Sequence, residues 1–211
     1  MSARITRRMA SLTRSAAIAR STTAVFAAAA FYMGVSGAAV GQLRSEMRDP
    51  VRGVSFHSIE ISSEPMNDLD LIRGSFGDTD ELAVGLSAMA FDGVPEIDSW
   101  IFWVRHEGRR WLDYDRVSPV SLTADGEPFE LEPLRSPQPF VGEGGRMYEK
   151  LEFHITADEV SRLLAAESAI VSLRSDNGDV DKSFASDELD RIRDFLVSVK
   201  ERTAANRRGE Y

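Results

Sequence analysis

Lys150-Leu151-Glu152-Phe153-His154-Ile155-Thr156-Ala157-Asp158-Glu159-Val160 is the stretch that decides the fold. Leu151, Phe153 and Ile155 alternate with Lys150, Glu152 and His154, the period of a strand with one buried and one wet face. At Thr156 the pattern changes. Thr156 with Glu159 three residues on is a capping box, so the spacing predicts a helix over 157–167 with Val160, Leu163 and Leu164 on its apolar face.

Working forward, Ala169-Val171-Leu173 reads as a strand and Val180–Phe184 as its return. Asn177-Gly178 between them supplies the residues that a type I′ turn requires. Leu189, Ile192, Phe195, Leu196 and Val199 then fall at helical spacing. Asp187 and Glu188 stand at the positive end of that helix, Lys200 and Arg202 at its negative end. Asp187 and Arg191 are i,i+4 partners.

Working backward, the period is mostly two. Val54–Ile61, Leu69-Leu71 and Leu82-Val84-Leu86 read as strands. Trp100-Ile101-Phe102-Trp103-Val104 is a continuous apolar run, which fits a central strand covered on both faces. Glu107-Gly108 and Asp125-Gly126 read as hairpin turns, the first leading into a strand over 109–114. Prolines 128, 133, 137 and 139 with glycines 142, 144 and 145 make residues 128–145 a long loop, the one segment resembling a lid. Strands first and helices later give α+β: a largely antiparallel sheet of about nine or ten strands with two helices in the C-terminal half. No linker divides the body, so the expected organisation is a connector at 42–50, a single domain at 51–203 and a polar tail at 204–211.

The chain has 211 residues, 43 % of them hydrophobic, which is enough to bury a core. Its net charge is -9, but the first 41 residues hold five arginines and no acid. That leaves 20 basic against 34 acidic side chains, -14, over the remaining 170 residues. Such a surface repels phosphate backbones and argues against nucleic acid as a partner. There is no cysteine, which excludes disulfides, a thiolate nucleophile and Cys-ligated metals.

Between Arg20 and Arg44 lie 23 uncharged residues centred on Ala24–Met33. A basic flank, an apolar stretch and small residues at 36–41 are the layout of a secretory signal peptide. A retained membrane anchor is the rival, since 23 helical residues reach roughly 34 Å, and an organelle leader is a third reading. The hydrophobic leader at 1–41 therefore places the body in the periplasm or outside the cell after cleavage. On the rival reading it is a single-pass membrane protein whose C-terminal domain lies outside the cytoplasm. The membrane would be touched only through that segment.

Motifs of known chemistry are scarce. His57, His106 and His154 have no metal-ligand spacing and read as wet-face or partly buried imidazoles, so no metal and no cofactor is expected. Gly85-Leu86-Ser87-Ala88-Met89 lacks the second glycine of a nucleophile elbow. Asp78–Glu81 and Asp176–Asp181 read as tight turns solvated by their own carboxylates rather than as calcium loops. What remains is Arg109, Trp111, Asp113 and Asp115. In a strand these share one face, with two carboxylates about 7 Å apart beside an aromatic plate. That face is either a salt-bridged exterior or a binding surface. In its most active form it is the acid–base pair of a sugar hydrolase, with 128–145 as lid. The leading expectation is a non-catalytic binding or interaction module of the cell envelope, its partner a protein or small molecule; the alternative is a hydrolase using Asp113 and Asp115.

Overall fold

The structure, a computed structural model, describes residues 44–49, 51–74, 77, 79–91, 97, 99–114, 118–134, 136 and 139–208. The leader at 1–41 lies outside these residues, as does Asp115. In chain order the strands are β1 (Arg44–Asp49), β2 (Val54–Pro65), β3 (Asp70–Gly74), β4 (Glu81–Phe91), β5 (Ser99–Gly108) and β6 (Val120–Ala124). They continue as β7 (Glu127–Pro128), β8 (Glu132–Pro133), β9 (Phe140–Val141), β10 (Met147–Ile155), β11 (Ala169–Ser175) and β12 (Gly178–Ser183). The helices are α1 (Ala157–Ala165) and α2 (Ser186–Arg208). The protein is α+β, mostly antiparallel sheet with two late helices.

The strands divide into two sheets rather than one. The first runs β1-β2-β4-β5-β10-β8, with β9 also on β10; the second runs β3-β12-β11-β6-β7. Every pairing is antiparallel. As the apolar run predicts, β5 is central and buried on both faces. Trp100, Phe102 and Val104 enter the core, while Ile101 and Trp103 are buried on the reverse side. Gly85 makes room for that reverse side, because a Cβ there would lie 1.9 Å from Trp103 Cζ2. The indole thus lies across the glycine, with Lys150 Nζ 5.0 Å from its ring centroid.

One apolar cluster draws on both sheets and both helices. Ile59, Leu86 and Phe153 enter it from the first sheet, Leu122, Val171 and Leu173 from the second, and Leu163 from α1. The stripe Leu189, Ile192, Phe195, Leu196 and Val199 enters from α2, which packs on β2 and β4. A buried cation ties three elements at the rim. Lys182 of β12 lies 2.6 Å from Glu64 of β2 and 3.0 Å from Glu188 of α2. The capping box forms as the sequence requires: Glu159 N–H donates to Thr156 Oγ1 (3.2 Å) and Thr156 N–H to Glu159 Oε2 (2.7 Å). Arg191 meets Asp187 at 2.9 Å.

Several local expectations change. Residues 44–49 are not a connector but an edge strand, β1, turned back into β2. Asp49 Oδ1 accepts the Val51 and Arg52 N–H groups there, and Gly53 takes φ 62°. α2 continues to Arg208, into the residues read as a polar tail. The 175–178 hairpin forms, yet neither Asn177 nor Gly178 has a positive φ. Its tip is Asp176-Asn177, held by Ser175 Oγ donating to Gly178 O at 2.6 Å. Asp125-Gly126 does adopt the left-handed pair, at φ 50° and 82°. The 128–145 segment is no free lid, since β8 and β9 pair with β10 along its outer edge.

Candidate functional site

Residues 109–114 do not form a strand. Residues 111–113 have no regular structure, Asp113 is exposed with φ 52°, and Tyr114 makes one isolated bridge to Ser175. Alternation is lost, so Arg109, Trp111 and Asp113 do not share a strand face; Asp115 lies outside the described residues. The reason is visible in the backbone hydrogen bonds. Side chains and a hairpin tip take the groups that a strand ladder would use. Arg109 N–H donates to Asp80 Oδ1 (3.2 Å) and Leu112 N–H to Glu149 Oε2 (2.7 Å). Asn177 Nδ2 donates to the Trp111 carbonyl (2.7 Å) and Asp176 N–H to the Asp113 carbonyl (3.0 Å).

Those anchors belong to a buried polar cluster at one end of the first sheet. His106, the last inward residue of β5, is fully buried, and its Nδ1 lies 3.1 Å from Glu149 Oε2 of β10. Its Nε2 stands 4.0 Å from Asp80 Oδ1 and has no hydrogen-bond partner. Asp80 also accepts the Gly77 N–H at 2.6 Å, and the Arg110 guanidinium lies 3.8 Å away. Gly108 is obligatory beside them, because a Cβ there would come within 2.1 Å of Asp80 Oδ1 and 2.7 Å of His106 Nε2. The Tyr114 hydroxyl is buried without a partner, and burial, helped by the Glu149 carboxylate, holds its pKa well above the ordinary value. Asp80 is not the solvated turn residue, and His106 not the wet-face or partly buried imidazole, that the sequence suggests: the carboxylate is 2 % exposed and the imidazole 0 %. The cluster is closed to solvent at both groups. It pins the 109–114 segment to the strands.

A second histidine cluster does open outward. Glu46 of β1 is the register partner of His57 on β2, which puts both on one side of the sheet. The second half of α2 lies over them and places Arg202 against Glu46 in an ion pair. Between the strands and the helix is a cleft of about 260 Å³. Phe195 and Val199 supply apolar wall, Ser45 and Ser198 supply hydroxyls, and Glu46, His57 and Arg202 supply charge or protons. Burial lowers the His57 pKa; the Glu46 charge opposes that shift and the Arg202 charge reinforces it. His57 is thereby kept as a neutral imidazole at pH 7, able to donate from one nitrogen and accept at the other. The arrangement offers hydrogen bonds, one cation and an apolar wall, which suits holding a small molecule.

Nothing local in the sequence joins these groups. Glu46 and Arg202 are 156 residues apart, and His57 is marked only by its place beside Ile59 on the inward face of a strand. Among the described residues no group of three or more His, Cys, Asp or Glu side chains is disposed to hold a metal ion. Nor is any described helix long and apolar enough to cross a membrane. No family model matches the chain, and neither a curated protein nor a solved structure does.

Proposed function

We propose that this chain is a non-catalytic binding module of the cell envelope, exported or tethered through residues 1–41, that holds a small polar ligand between β1, β2 and α2. The observation that carries this reading is the cleft, where Glu46, His57 and Arg202 converge from three elements beside apolar wall, the two charged side chains half exposed and His57 buried beneath them. Convergent polar groups on an apolar concavity are the usual form of a ligand site. At about 260 Å³ it suits a molecule smaller than a drug. The envelope location is supported by the layout of the leader, a basic flank, an apolar stretch and small residues. The hydrolase reading loses its geometric support, because Asp113 sits exposed at a positive φ in irregular chain instead of on a strand face.

The test is a ligand screen by amide chemical shift on the full chain as recovered from cells, using small acids, amides, amines and polyols. Shifts gathered at Ser45, His57, Ser198 and Arg202 are expected for at least one class. Turnover of an envelope substrate that Asp113→Asn abolishes would replace the binding reading with an enzymatic one. Intact mass and cell fractionation test the address. A chain found in the cytosol with residues 1–41 attached would overturn it.

A further inference from the structure

The ligand class can be narrowed, on the premise that the cleft is the binding site. Arg202 already holds a carboxylate, that of Glu46, at the lip of the cleft. A guanidinium presents a planar fork of donors matched to the two oxygens of a carboxylate. Both side chains are 48 % exposed, so water competes for the pair, and such exposed pairs contribute little. Glu46 is therefore exchangeable: another carboxylate of the same shape can take its place on Arg202. Phe195 and Val199 line the cleft but are only 2 % and 1 % exposed, so the groups a ligand can reach are chiefly the polar ones.

The charge arithmetic limits the ligand to one negative charge. One guanidinium balances one carboxylate, and the surrounding body at -14 penalises a dianion such as phosphate. The volume limits it to fewer than about ten non-hydrogen atoms, taking roughly 30 Å³ for each water-sized group. We propose that the cleft binds a small monocarboxylate whose carboxylate displaces Glu46 from Arg202. Glu46 is then the built-in competitor for the site.

Three groups bear on the pH dependence. His57 faces Glu46 from β1 and Arg202 from α2, and its neighbour on β4 is the uncharged Ala88. Neutral at pH 7, the imidazole gains a proton in acid and adds a positive charge beside the carboxylate. Affinity for a monocarboxylate consequently rises as pH falls, so long as the ligand stays ionised.

Butyrate, its uncharged isostere butyramide and inorganic phosphate are titrated into the full chain and followed by amide shifts. Butyrate is expected to bind and the other two to bind at least tenfold more weakly. Glu46→Gln removes the competitor and tightens butyrate several-fold, while Arg202→Gln weakens it at least tenfold and Arg202→Lys less. Lowering the pH from 7.5 to 5.5 strengthens butyrate binding in the parent and not in His57→Gln. Equal binding of butyramide and butyrate, or no response to Glu46→Gln, overturns the carboxylate assignment while the binding reading stands. The same holds if another class in the screen fills the cleft and butyrate does not. If no compound of any class shifts the cleft, both fall together.

Discussion

His106 and His57 sit on the same face of one sheet, each beside a carboxylate, and they are built for different work. Their partners on β4 are Leu82 and Ala88, an even number of residues apart, so both imidazoles point to the same side. His106 is enclosed by Asp80 and Glu149, both at least nine-tenths buried. His57 has Glu46 and Arg202, each half in water. Burial makes the first cluster indispensable and inert, because its charges have no water to fall back on. Exposure makes the second cheap to disturb and free to exchange partners. Resemblance in composition, a histidine between charges, says nothing until solvent access is known.

The largest expected effect lies at the enclosed end. Glu149→Ala strips the partner from His106 Nδ1 and from the Leu112 N–H at once, and should cost about 3–5 kcal/mol in urea unfolding. Should that variant fail to fold, Glu149→Gln keeps an acceptor and should cost about 1–3 kcal/mol. A loss below about 1 kcal/mol in both would erase the distinction between the two clusters.

Next is Gly108→Ala. Its Cβ would overlap Asp80 Oδ1 and His106 Nε2, so about 1–3 kcal/mol should be lost and Trp111 fluorescence should report loosening of the 109–114 segment. Wild-type stability and fluorescence would mean that the enclosed cluster has slack.

Acid should sharpen the contrast from the other side. Burial depresses the His57 pKa, so the unfolded chain takes up a proton at this residue before the folded chain does. The His57 contribution is thus fully present above the ordinary histidine pKa of about 6.5. It declines as pH falls from there towards the depressed folded value. His57→Gln should flatten that part of the stability profile; an unchanged slope between pH 7 and 5 would put the acid sensitivity elsewhere.

Smallest is Glu46→Gln. The exposed pair it breaks should be worth less than about 1 kcal/mol. A cost near that of Glu149→Ala would show the cleft pair to be structural and remove the reason for calling it exchangeable.

Local patterns carried much of the fold. The capping box at Thr156, the α2 stripe and the two-faced apolar run of β5 were legible because each depends on neighbours within one turn or one strand. The turn at Asp125-Gly126 was legible for the same reason. The failures share a cause as well. Asp80 reads as a turn residue among acids, yet it is buried where His106 and the Arg109 backbone, distant in the chain, close over it. Residues 109–114 carry strand-like alternation, yet Asp80, Glu149 and the 176–177 tip take up their backbone groups. Asn177-Gly178 reads as a type I′ turn, yet Asn177 reaches across to Trp111 and the turn moves back one residue.

For the site the gap is wider. Trp111 and Asp113 drew notice because they adjoin in sequence, whereas Glu46, His57 and Arg202 are joined only by strand register and the reach of α2.

Sequence alone determined which faces are apolar, where the helices start, and that the class is α+β, because periodicity and capping are properties of adjacent residues. Tertiary structure decided that the strands split into two sheets, that one histidine is sealed while another borders a cleft, and which carboxylate meets which cation. Those outcomes turn on pairing between residues far apart in the chain and on the solvent they exclude together, which no local pattern encodes.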